Sequence, residues 1–231
     1  MTTRVAIHGF GRIGRQVFKT IWHYHQGDLE VVAIGLNDVG DARAAAHLLK
    51  YDSNYGRFAP DVRADGDDLI VDDARIPLVA ASTPSGLPWG RLGVDVVIDA
   101  TGAHASGRLA AGHLEAGAGK AIVAAPSEDA DFMLIVGVND GEYDPATHHV
   151  ISTGSDTTNA LAPLLKVVDA RFGLVGAMMT AVRAYTNEQK LLDATDGDLR
   201  RARSAPTSIV PTTTRASKAI GQVMPHLNGR V

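Results

Sequence analysis

Apolar residues in the first 155 positions fall into short β-branched runs separated by amphipathic stretches. Val5-Ala6-Ile7, Val31-Val32-Ala33-Ile34, Val94-Asp95-Val96-Val97-Ile98 and Ala121-Ile122-Val123 read as strands buried on both faces. Between them, Ile13 to Tyr24 and Ser106 to Ala116 carry apolar residues at helical spacing, and Leu69 to Ala80 reads as a short β excursion. Alternating strand and helix predicts an α/β fold with a doubly wound parallel sheet. Asp144-Pro145 predicts a turn. The character changes near Ile151, where a strand enters Thr153-Gly154-Ser155 and a helix is expected from Asp156 to Val168. Leu174 to Tyr185 reads as a long strand, and Ala205 to Thr214, rich in hydroxyls with two prolines, as an extended loop. A boundary at about 152 then gives domains 1–152 and 153–231.

Composition narrows the partners. The 231 residues carry a net charge of −4 with both signs scattered, so the bulk charge gives no case for nucleic acid or an anionic membrane. No apolar run approaches the ~20 residues of a transmembrane helix. Met1 to His8 runs straight into a strand without the basic and apolar regions of a signal peptide. There is no cysteine, which removes disulfides, thiolate metal sites and thiol catalysis together, and a cytoplasmic setting is expected.

Gly9-Phe10-Gly11-Arg12-Ile13-Gly14 follows a predicted strand and opens a predicted helix. Glycine clusters also make plain turns, but this one has the flanks of a dinucleotide-binding motif. The first glycine permits the tight turn and the second lets a pyrophosphate approach the backbone. The third packs helix against strand, and the helix N-terminus offers N–H groups to the anion. Asp38, 24 residues after Gly14, ends the second strand. A carboxylate there accepts from ribose hydroxyls and repels a 2′-phosphate, favouring NAD over NADP; the alternative is an Asp capping a turn.

The glycine turn, Leu36-Asn37-Asp38, Leu48 to Ser53, Asp99-Ala100-Thr101-Gly102 and Ala124-Ala125-Pro126-Ser127 together resemble glyceraldehyde-3-phosphate dehydrogenase. So do Ser155-Asp156-Thr157-Thr158-Asn159, Ala184-Tyr185-Thr186-Asn187, Asp198 to Arg203 and Ile209 to Thr214, in colinear order. The resemblance implies a Rossmann domain, a partial α+β catalytic domain with a mainly antiparallel sheet, NAD as cofactor, and a homo-oligomer, usually a tetramer. It assigns cofactor contacts to Gly9, Phe10, Gly11, Arg12, Ile13, Gly14, Asn37, Asp38, Thr101, Gly102 and Ser127. It assigns anion contacts to Ser155, Thr157, Thr186 and Thr214, consistent with a small phosphorylated or anionic substrate; each of these hydroxyls would serve equally as a local cap.

The departures bear on chemistry. Where the family carries its nucleophilic cysteine this chain has Asp156, and where it carries the histidine base this chain has Arg183. Arg215 stands for a phosphate-binding glycine. A carboxylate is a poor nucleophile toward an aldehyde, and a guanidinium cannot act as a base near neutrality. Thiol-dependent phosphorylating oxidation is therefore not expected. Asp156 and Arg183 would form a helix cap and salt bridge, or a general base beside an anion-holding cation, or a nucleophile toward an activated acyl or phosphoryl group. An NAD-dependent oxidoreductase of altered chemistry and an NAD-binding regulatory or scaffold pseudoenzyme both remain open. His8 stands where the family has asparagine and His104 follows Thr101-Gly102; no metal spacing is evident, and surface positions are expected for the histidines. Val231 falls before the family's end, which predicts self-association, a complementing chain, or a longer natural protein.

Overall fold

The buried runs assemble side by side because each lacks a polar face to give to water. A computed structural model describes residues 2–36, 41–102 and 106–231. Asn37, Asp38 and His104 lie outside them. Eleven strands are described: β1 Thr3–His8, β2 Leu29–Leu36, β3 Tyr51–Asp52, β4 Gly56–Arg57, β5 Val62–Asp65, β6 Asp68–Val71, β7 Ala74–Ala80, β8 Val96–Asp99, β9 Lys120–Val123, β10 Phe132–Met133 and β11 Val150–Ser152. β3 and β4 form a small hairpin of their own; the other nine make one sheet in the order β10-β11-β9-β8-β1-β2-β7-β6-β5. Pairing is parallel from β10 to β7 and antiparallel through β6 and β5, which are the expected excursion.

Helix α1 Arg12–Tyr24 follows β1, and α2 Ala42–Lys50 follows β2. Successive residues of a strand point to opposite faces. Ile7 and Ile34 therefore join Phe18, Leu49, Phe58 and Leu69 on one face, while Ala6 and Ala33 join Trp89, Val94 and Val97 on the other. After β7 the chain returns to the other side of β1 as β8, so the winding reverses between β1 and β8. In such sheets the crevice beyond the carboxyl ends of those two strands is where ligands bind.

Three short helices, α3 Trp89–Leu92, α4 Gly107–Ala110 and α5 Gly112–Glu115, complete this part. The single helix expected from Ser106 to Ala116 is broken at Ala111. Its glycines are held by neighbours: a Cβ at Gly107 would lie 2.3 Å from the Asp129 carbonyl oxygen, and one at Gly112 would lie 3.2 Å from Pro84.

Contacts divide the chain into Met1–Ser155 and Asp156–Val231. The second unit is built on α6 Asp156–Phe172 and α7 Ala216–Val223, which pack together and bury residues such as Leu165, Ala219 and Ile220. It contains no strand among the described residues. The strand expected from Leu174 to Tyr185, and the antiparallel sheet it was to join, are not formed. An extended segment becomes a strand only when a neighbour satisfies its ladder. Here the segment has one such backbone bond, from Ala177 N–H to the Arg230 carbonyl, and Val175, Met178 and Val182 face solvent. The loop expected from Ala205 to Thr214 is present apart from one 3-10 turn at Ala205–Thr207. No described helix is long and apolar enough to cross a membrane.

Candidate functional site

The three glycines of the turn do different work. Gly9 directly follows β1 with φ +91°, and its N–H donates to the Gly35 carbonyl at 2.8 Å. A Cβ there would lie 2.6 Å from the Thr101 nitrogen, and one at Gly14 would lie 2.0 Å from the Gly9 carbonyl oxygen. Both positions are closed by the protein itself. Gly11, the residue before α1, would meet nothing within 4 Å. Its absent side chain leaves open space above a helix N-terminus that has no side-chain cap and no acidic residue in its first turn. Free N–H groups and the helix dipole there suit a phosphate. Arg12 and Ile13 are exposed beside this opening, whereas Phe10 turns inward and meets Phe18 edge-on, 6.0 Å between centroids.

Thr101 and Gly102 follow β8, and the Ala100–Thr101 backbone covers Gly9. Their turn is fastened by Asp99, whose Oδ1 accepts from the Thr101 N–H at 3.0 Å and hydroxyl at 2.7 Å. Its Oδ2 is 3.2 Å from His113 Nε2, and His113 Nδ1 accepts from the indole N–H of Trp89 at 2.9 Å. His8, paired in register with Asp99 at the end of β1, places Nδ1 3.3 Å from His113 Nε2. Burial pushes the Asp99 carboxyl up, but hydrogen bonds from His113, His8 and Thr101 outweigh it and hold the group well below the usual carboxylate range. His8 and His113 are thus fully buried, not at the surface as expected. β1 and β8 are neighbours, and α5 lays His113 over the junction.

His8, Asp99 and His113 bring three donor atoms within 4.8 Å of one another, a spacing that a metal could use. Trp89 argues for a proton instead. Indole donates only, so neutral His113 carries its hydrogen on Nε2, the atom a metal would need. The sequence marks Asp99 only as part of the family resemblance and gives no signal for His113 or Trp89, because only the fold brings β1, β8, α3 and α5 to one point.

Ser127 is buried; its hydroxyl donates to Asp129 at 2.9 Å and its N–H to Ser152 Oγ at 3.1 Å. In the second unit Asp156 opens α6, where its Oδ1 accepts from the Thr157 N–H at 2.8 Å. Arg183 Nη1 lies 3.6 Å from the same oxygen, and Arg183 Nη2 is 3.4 Å from Thr212 Oγ1. Asp156, Thr157 and Arg183 are therefore brought together. Thr186 and Thr214 are engaged locally, the first with Gln189 and the second as acceptor from the Ala216 N–H that opens α7. Arg215 is exposed at the same helix end, and Ser155 directly precedes Asp156.

Comparison with known proteins gives matches along the chain. Residues 3–107 match the family described as glyceraldehyde 3-phosphate dehydrogenase, NAD binding domain, and residues 155–231 match its C-terminal domain. The glyceraldehyde-3-phosphate dehydrogenase of Geobacillus stearothermophilus is 49% identical over 231 residues, covering 100% of this chain and 68% of that protein. Its counterpart in Streptomyces coelicolor is 48% identical over 232 residues, covering 100% and 68%. That of Mycobacterium tuberculosis H37Rv is 49% identical over 234 residues, covering 100% and 69%.

Proposed function

The chain belongs to the glyceraldehyde-3-phosphate dehydrogenase family with NAD as its cofactor, and on that premise we propose that it binds the dinucleotide without performing the thiol-dependent oxidation. The observation that carries this reading is Asp156: it opens α6 beside Arg183, in a chain without cysteine. When bound, NAD supplies a hydride acceptor. Gly11, Arg12 and Ile13 line the opening that a pyrophosphate would use, and we assign Gly9, Thr101 and Gly102 to the same site. Ser127, Asn37 and Asp38 complete our assignment, and we place the end of the cofactor domain at about 152.

Two chemistries fit the second unit. In one, Asp156 takes a proton from a hydroxyl or hydrate while Arg183 holds an anionic substrate, with Ser155, Thr157, Thr186, Thr214 and Arg215 as further anion contacts. In the other the chain is an NAD-binding regulatory or scaffold subunit. The ion pair supports the second, because it joins the two replacement side chains to each other. Exposed Val175, Met178, Val182 and Ile209 support a homo-oligomeric assembly. The deciding experiment follows NADH absorbance with NAD and a panel of phosphorylated aldehydes and hydroxy acids, using the parent chain and Asp156→Asn. Turnover abolished in the variant establishes the oxidoreductase; NAD binding without turnover on any substrate establishes the subunit.

A further inference from the structure

A groove of about 440 Å³ lies in the first unit, apart from the glycine turn, between α2, the β3–β4 hairpin and β5. Arg43, Ala46, His47 and Lys50 line it from α2, at the i, i+3, i+4, i+7 spacing that puts residues on one helix face. Arg57 and Arg63 line it from the strands, and Asp61 is the one carboxylate in the lining. Four permanent cations thus surround one groove in a chain whose net charge is −4.

Their surroundings separate them from the arginines that are neutralised elsewhere in the chain. Arg4, Arg75, Arg183, Arg200 and Arg203 each lie beside a carboxylate. Arg43, Arg57 and Arg63 form no ion pair among the described residues; Arg57 instead lies over the Tyr51 ring, 5.9 Å from its centroid. Lys50 is only 8% exposed. Its ammonium donates to the Ala59 and Pro60 carbonyls, which leaves the third of its N–H donors to be satisfied. Small Ala46 also lines the groove. Like charges gathered around one cavity repel, and a ligand that brings several negative charges relieves that repulsion.

We propose that this groove is a binding site for a multivalent phosphate-bearing anion, separate from the dinucleotide turn. Arg43 lines the groove from α2 and Arg63 from β5, so a chain of phosphates lying in it would be offered a guanidinium from each element. Tyr51, half-exposed beside His47 and under Arg57, offers a ring for a base if the phosphates belong to a nucleotide.

The test is calorimetric titration of the full chain with sodium tripolyphosphate, in the presence of saturating NAD. One saturable site is expected, weakened about tenfold or more in Arg43→Gln/Arg63→Gln and unchanged in Arg91→Gln, an exposed arginine outside the groove. Both changes are on exposed side chains, and circular dichroism verifies that the variants are folded. A parallel titration with adenosine triphosphate separates the sources: tighter binding than tripolyphosphate identifies a nucleotide, and equal binding identifies the phosphate chain alone. No saturable binding, loss of binding when NAD is present, or full affinity in the double variant would overturn the proposal.

Discussion

Arg183 and Asp156 form an ion pair, with Nη1 3.6 Å from Oδ1, at the first residue of α6. Both side chains are substantially exposed, 42% for Arg183 and 77% for Asp156, so water screens their attraction. An exposed pair of this kind contributes ~1 kcal/mol or less. Arg183→Gln is therefore expected to leave thermal unfolding within a few degrees of the parent. A large loss of stability would mean that the pair has a structural role beyond the contact seen.

The same position has an electrostatic character that a different side chain would report. A helix N-terminus with a guanidinium nearby lowers a thiol pKa. Asp156→Cys should be alkylated by iodoacetamide at neutral pH several times faster than free cysteine, and adding Arg183→Gln should slow it. Reaction no faster than free cysteine would show that the α6 terminus does not favour an anion.

The glycine turn separates packing from binding. Gly14→Ala would force a Cβ to within 2.0 Å of the Gly9 carbonyl oxygen, and should destabilise the chain by ~1–3 kcal/mol or more. Gly11→Ala meets no protein atom and should cost about 1 kcal/mol at most, while weakening NAD about tenfold or more. Denaturant unfolding and NAD titration on the two variants check this. Unchanged NAD affinity in Gly11→Ala would remove the turn from the cofactor site.

Asp99 predicts an acid signature. Its carboxyl is held below the usual range, so folding favours the charged form. That stability is fully present above the ordinary carboxylate value of about 4 and is lost as pH falls from there toward the folded value. Asp99→Asn should cost on the order of 3 kcal/mol near pH 7, and the difference from the parent should shrink by about pH 2.5. A difference independent of pH would mean that the network acts by shape and not by charge.

Asp38 carries the expectation of nucleotide choice. By the family resemblance its carboxylate would repel a 2′-phosphate, so NAD should bind more tightly than NADP, and Asp38→Ala should narrow the gap. Calorimetry with both dinucleotides tests it; equal affinity in the parent chain would refute the assignment.

The parallel sheet was legible because its strands are buried on both faces and read as uninterrupted apolar runs, as in Val31 to Ile34. The glycine turn was legible for a similar reason: Gly9 and Gly14 answer local steric demands, Gly11 keeps the space above the helix N-terminus open, and their spacing is written in the sequence. The His8–Asp99–His113–Trp89 network was not, since its members lie on four elements and up to 105 residues apart. Leu174 to Tyr185 failed in the opposite way. Its apolar pattern is that of a strand, but strand formation depends on a neighbour, and the segment itself does not encode one.

The central claim, an NAD-binding family member without thiol chemistry, is tested most directly by NADH formation from glyceraldehyde 3-phosphate, NAD and inorganic phosphate, on protein freed of host enzyme. With Asp156 and Arg183 in place, the account predicts no phosphate-dependent rise in absorbance above the protein-free control, at NAD concentrations that saturate binding. A phosphate-dependent rate approaching that of an ordinary glyceraldehyde-3-phosphate dehydrogenase would contradict it, and would mean that a group other than a cysteine thiol carries the acyl intermediate.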